Sequence, residues 1–285
     1  MTEPIDIDDK LESEYNARAA RPDYDRVLGD WNRRSEAFRS ASGGFLDAAY
    51  GPGDRHRLDL FIASEGAPTL VYLHGGYWQR GDKSIYSFVA APFVAEGVNV
   101  VVMNYTLCPE TTVPGITEEI RQGLIWLYRN GGEYGLAADQ VHLTGHSAGG
   151  HLTAMMLATT WEELGADLPP DLVKSGIPIS GLYDLAPLRR TSINRGAGID
   201  ANAVRHCSPR DLRPSPGARA LAVVGGAETQ AFHDQAADLA ARWSAAGARV
   251  EQYVEPGVDH FDVVNRLADP DSELFRKAMA SLNPQ

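Results

Sequence analysis

Six short apolar runs constrain this chain more than any other feature. They are "PTLVYLH", "VNVVVMNY", "QVHLTG", "SGIPIS", "RALAVVG" and "RVEQYVE". Runs of this kind suit strands covered on both faces, as in a parallel sheet. Stretches with helical periodicity separate them. In "ITEEIRQGLIWLYRN", Ile120, Leu124 and Leu127 share one face, and Gly131 follows as a stop. In "FHDQAADLAARWSAAG", Phe232, Ala236, Leu239 and Trp243 do the same before Gly247. A last helix is expected near the end, with Asp269 as N-cap before Pro270. Strand and helix alternate to the end, which predicts an α/β chain: a mostly parallel central sheet with helices on both faces. The exception is "LDAAYGPGDRHRLDLFI", which reads as two strands around a Gly-Pro-Gly turn and predicts an antiparallel edge.

Residues 9–40 carry few apolar anchors, among them Leu11, Tyr15, Tyr24, Val27, Leu28, Trp31 and Phe38. They predict one or two polar helices forming an arm or cap (1–40) on the main domain (41–285). The 285 residues carry a net charge of −12, which argues against nucleic acid or an anionic membrane as partner. The opening "MTEPIDIDDK" is acidic and has no apolar core, so a secretory leader is not expected. No apolar run approaches the roughly 20 residues of a membrane span. Cys108 and Cys207 stand outside any metal-type spacing and read as free thiols, pointing to the cytoplasm. The oligomeric state is left open, a homodimer included.

The chemistry centres on "VHLTGHSAGGHLTAMM". Gly145-His146-Ser147-Ala148-Gly149 is a G-x-S-x-G between a strand and a helix. Such a corner strains the central residue, and its neighbours must lack side chains because chain passes close to chain. The Ser147 hydroxyl is then exposed at the sheet edge, with the helix N-terminus and the Ala148 amide beside it. A serine attacking an acyl carbon needs this arrangement. By chance alone the same pattern marks an ordinary Gly-rich turn. "HGGYWQRG", from His74 to Gly81, also follows an apolar run. Gly75, Gly76 and Tyr77 offer amides for the other half of an oxyanion hole, Gly76 and Tyr77 above all. Tyr77 and Trp78 are candidates to line a substrate pocket; the bland reading is a Gly-Gly turn with aromatics in the core.

A nucleophilic serine needs a base, and the base an orienting carboxylate. On such a corner the chain order is serine, acid, histidine. His260, in "VEPGVDHFDVVN", follows the last strand and is the expected base. Glu228, in "VVGGAETQAF", is the expected acid. Asp184 in "SGLYDL" and Asp234 remain alternatives, and Asp259 reads as a turn residue. His142, His146 and His151 span strand, turn and helix and share no face, so no metal or other cofactor is expected.

"HGGYW", "GHSAGGH", "SGLYDLAPL", "SPRDLRP", "GGAETQAFHDQ" and "DHFDVVN", in this order, resemble the arylformamidase (kynurenine formamidase) group of α/β-hydrolases. That group lies close to the hormone-sensitive-lipase-like esterases. "YNARAARPDY" is similar to its helical lead-in. The resemblance covers nearly the whole chain. It implies an α/β-hydrolase fold, a triad of Ser147, Glu228 and His260, and an oxyanion hole around Gly75, Gly76, Tyr77 and Ala148. One position departs: the acid is Glu228 where the group carries Asp. The implied activity is hydrolysis of a small acyl amide or ester, foremost an aryl formamide of the N-formylkynurenine type. A short-chain carboxylesterase is the alternative, and a binding module without turnover a remote one.

Overall fold

The computed structural model describes residues 5–282. Its centre is one eight-stranded sheet. The strands are β1 (Phe45–Ala49), β2 (Arg57–Phe61), β3 (Thr69–Leu73), β4 (Asn99–Met103), β5 (Val141–His146), β6 (Val173–Ile179), β7 (Arg219–Gly225) and β8 (Arg249–Glu255). Their order across the sheet is β1-β2-β4-β3-β5-β6-β7-β8. The pairs β1/β2 and β2/β4 are antiparallel, and every other pair is parallel. All six apolar runs became strands, and the Gly-Pro-Gly hairpin forms the antiparallel edge.

Burial explains the two kinds of strand. Every residue of β3, β4 and β5 is buried, because helices cover both faces there. Val71 and Leu73 join a core with Leu124 and Leu152, while Leu70 and Tyr72 join a second core with Trp31, Phe93 and Leu274. One strand thus feeds two cores through its period of two. Each such side chain contributes about 1.5–3 kcal/mol when fully buried. The edge strands β1 and β8 are largely exposed.

The parallel register sets where chemistry can gather. Leu73 lies opposite Gly145, His146 opposite Ile179, and Gly225 opposite Glu255. The loops after β3, β5, β6, β7 and β8 therefore leave from one edge of the sheet. Strand order reverses at β3, with β4 on one side and β5 on the other, and crevices open at such points.

The amino-terminal arm comprises helices α1 (Asp9–Tyr15) and α2 (Tyr24–Ser42). The second runs to Ser42, where Gly43 (φ 64°) ends it. The arm is bonded into the body. Glu12 accepts from the Ser192 amide and hydroxyl (2.7 and 2.6 Å), and Trp31 Nε1 donates to Asn265 (2.9 Å).

The final helix differs from expectation: it spans Glu273–Leu282 and is capped by Ser272, whose Oγ accepts from the Phe275 amide. Asp269 instead accepts from Asp271 N two residues on, which folds Pro270 into the turn ahead of the helix.

Candidate active site

Ser147 sits between β5 and the helix Ala148–Leu157 with φ 57° and ψ −115°, in the left-handed half of backbone space. A non-glycine residue held there carries about 1–3 kcal/mol of strain. The surrounding glycines show why the corner is so tight. A Cβ on Gly149 would lie 1.9 Å from the Leu73 carbonyl oxygen, and one on Gly145 would lie 2.3 Å from that of Gly149. The Ser147 amide donates to Ile179 O (2.8 Å), which fixes the corner to β6. Among the described residues, the amide of Ala148 finds no acceptor.

The loop after β3 is equally strained. Gly76 has φ 122°, and Tyr77 and Trp78 have φ 52° and 60°. Gly75 lies against the corner: a Cβ there would be 2.9 Å from His146 O and 3.2 Å from Ser147 Cβ. The amides of Gly76 and Tyr77 also find no acceptor among the described residues. The loop is braced from below by Tyr105, whose hydroxyl donates to His74 O (2.8 Å). It is braced from above by the arm: the Tyr77 hydroxyl donates to Tyr15 O and accepts from Ala17 N.

Of the three acids the sequence left in play, Glu228 meets His260. Its Oε2 lies 2.6 Å from His260 Nδ1, and its side chain is wholly buried. Its Oε1 accepts from Gly225 N (2.7 Å) and Ser180 Oγ (2.5 Å). Asp184 pairs with Arg210 (2.9 Å), and Asp234 accepts from Gln230 on its own helix. Asp259 accepts from the amides of Phe261 and Asp262, as a turn residue does. Ser180 was not anticipated. It ends "SGIPIS", at the carboxyl edge between the strands of Ser147 and Glu228, with φ 49°; that position was the readable signal.

Ser147 and His260 line one cavity of about 130 Å³ with Gly76, Tyr77, Tyr86 and Phe261. His260 Nε2 is buried and makes no hydrogen bond, to Ser147 or to any other described group. The arm forms the opposite wall through Arg18, Tyr24, Leu28 and Trp31. Trp78 is not on this cavity, which corrects one expectation. Two successive left-handed residues turn its ring into the core, where it is fully buried edge-on to His151 (5.1 Å). Tyr77 does line the cavity, although its hydroxyl is committed to the arm.

The other buried histidines have separate partners. His142 pairs with Ser175 Oγ (2.8 Å) and His151 with Cys207 O (2.7 Å). Burial pushes His74, His142 and His151 down to about 4. Burial, and secondarily the His260 imidazole, pushes His146 well below its ordinary value. These four rings are therefore neutral at physiological pH.

Fold and edge together define an α/β-hydrolase, and comparison with known proteins narrows the class. Residues 58–178 match the BD-FAE family. A kynurenine formamidase of Salmo salar is 30% identical over 249 residues, covering 84% of this chain and 82% of that protein. The kynurenine formamidase of Drosophila melanogaster is 29% identical, covering 80% and 78%. A crystal structure from Silicibacter, provisionally named a thioesterase, superposes with TM-score 0.82 at 35% identity, covering 94% and 98%. Esterase B of Lactobacillus rhamnosis shares the fold, with TM-score 0.67 at 20% identity. The chain belongs to the kynurenine formamidase family, and it is a hydrolase of amide or ester type.

Proposed function

We propose that this chain hydrolyses aryl formamides of the N-formylkynurenine type through an acyl-enzyme on Ser147. The observation that carries the reading is the double commitment of His260. Its Nδ1 is tied to a buried carboxylate, and its unpartnered Nε2 belongs to a residue lining the same small cavity as Ser147.

The steps follow from those placements. Glu228 keeps the proton of His260 on Nδ1, so Nε2 is the basic nitrogen. Nε2 takes the Ser147 proton as Oγ attacks the formyl carbon; catalytic hydrogen bonds in an empty site are commonly long and tighten around substrate. The amides of Ala148, Gly76 and Tyr77 receive the oxyanion. The imidazolium then protonates the leaving aryl amine. Water, activated by Nε2, releases formate from Ser147.

Formyl is the smallest acyl group, which suits a narrow cavity. Tyr24, Trp31, Tyr86 and Phe261 surround that cavity with aromatic faces for an aryl amine. The relatives named as kynurenine formamidases support the same substrate class. Cys108 and Cys207, both buried and unpaired, accord with a reducing cytoplasm.

Short-chain carboxylester hydrolysis is the second reading, because among the described residues no lining group distinguishes a nitrogen from an oxygen leaving atom. Steady-state kinetics on N-formylkynurenine and p-nitrophenyl acetate separate the two. The formamidase reading expects the higher kcat/KM on the formamide; equal or lower efficiency there would leave the esterase.

A further inference from the structure

We infer that Arg18 and Arg80 form a carboxylate-recognition pair at the mouth of the cavity, making this a hydrolase selective for substrates whose leaving amine bears a carboxylate. The inference rests on the formamidase reading and adds the residues that read the substrate's carboxylate.

The observation is one of sign. The chain carries a net charge of −12, yet none of the described residues lining the cavity is acidic, and two are arginines. Neither arginine makes an ion pair or side-chain hydrogen bond among the described residues, although acids are plentiful. Arg21, three positions along the same arm, engages Asp23, Asp259 and Asp262. Arg18 is instead positioned by its guanidinium over the Tyr24 ring (4.9 Å). That contact leaves the N–H edges unspent. Arg80 closes the tight turn from Gly76, its amide donating to Gly76 O (3.2 Å). It is therefore anchored to the loop that offers the oxyanion amides.

Depth orders the cavity. Ser147 and His260 are buried at 2% and 4% exposure, Trp31, Tyr86 and Phe261 are buried beside them, Tyr24 is half-buried, and both arginines are exposed. A ligand matching that order has a small acyl group at one end, an aromatic ring next, and an anion at the open end. Because a formyl group has no room for a charge, the carboxylate belongs to the amine portion. A planar guanidinium binds a carboxylate through paired N–H donors, which favours geometry as well as charge.

The test compares substrates that differ in the carboxylate. Wild-type enzyme is assayed on N-formylkynurenine and on N-formylkynuramine, which keeps the side-chain amine and lacks the carboxylate. The double variant Arg18→Gln/Arg80→Gln is assayed on both, with Arg18→Lys/Arg80→Lys as the charge-keeping control. The expected result is a preference for the acid that falls by on the order of tenfold or more in the Gln variant, carried by KM, with partial recovery in the Lys variant. An unchanged preference in the Gln variant overturns the inference. If neither formamide is turned over, 4-acetoxybenzoate and phenyl acetate replace them. A preference for the benzoate that the Gln variant loses sustains the arginine pair while the formamidase reading fails; equal treatment of the two esters overturns the pair as well.

Discussion

His260 and Glu228 leave the sheet from neighbouring strands and meet at 2.6 Å, with the carboxylate entirely out of water. A buried carboxylate is tolerated only when its oxygens are occupied. Here Gly225 N and Ser180 Oγ occupy the second one. Glu228→Gln keeps the shape and removes the charge that, in the proposed mechanism, holds the imidazole's tautomer. We expect kcat to fall by about a thousandfold or more, with a small change in KM. Glu228→Asp, one methylene shorter, should lose less. Wild-type kcat in Glu228→Gln, with a folded circular-dichroism spectrum, would count against Glu228 as the orienting acid.

The strain at Ser147 gives a prediction about stability. Glycine adopts φ 57° freely, whereas alanine keeps the penalty. Ser147→Gly should be more stable than Ser147→Ala by about 1 kcal/mol in urea unfolding, after allowing for glycine's greater chain entropy. Both variants should be inactive. Equal stabilities would mean the corner stores no strain.

Two glycines test the steric account in opposite directions. Gly149→Ala drives a Cβ to 1.9 Å from a backbone carbonyl that cannot yield. It should destabilise the chain by about 3 kcal/mol or more, or prevent folding. Gly29, in the middle of α2, has nothing within 4 Å of its absent Cβ. Gly29→Ala should stabilise by about 0.5–1 kcal/mol through helix propensity. Thermal melts of the two variants check both signs.

Acid should unfold the protein through its buried imidazoles. His74, His142 and His151 are held down to about 4 by burial, against an ordinary value near 6.5. The unfolded chain therefore binds more protons between those values, so stability is full above about pH 6.5 and declines towards pH 4. Each ring is worth on the order of a few kcal/mol over that window. His151→Gln, which can still donate to Cys207 O, should flatten the fall of Tm with pH. A Tm independent of pH across that window would contradict the neutral buried rings.

The sequence disclosed whatever depends on local chemistry and chain order. The strands of the sheet centre were legible because helices on both faces demand unbroken apolar runs. The strained corner at Ser147 was legible because only a glycine-flanked corner permits its backbone, and the meeting of Glu228 with His260 because their strands end at the same edge. What stayed hidden depends on directions fixed by the whole fold. Trp78 looked like a pocket residue, but two left-handed residues in succession turn it inward, and no residue type announces that. Ser180 supports Glu228 across 48 positions of chain. Arg18 and Arg80 are unremarkable letters until the arm folds over the sheet edge and sets them on one cavity.

The most direct measurement is covalent labelling with a fluorophosphonate, read by peptide mass spectrometry. The account predicts a single adduct on Ser147, abolished in Ser147→Ala and slowed by at least about a hundredfold in His260→Ala, because an unassisted hydroxyl is a weak nucleophile. Labelling that persists in Ser147→Ala together with undiminished turnover of N-formylkynurenine would contradict it.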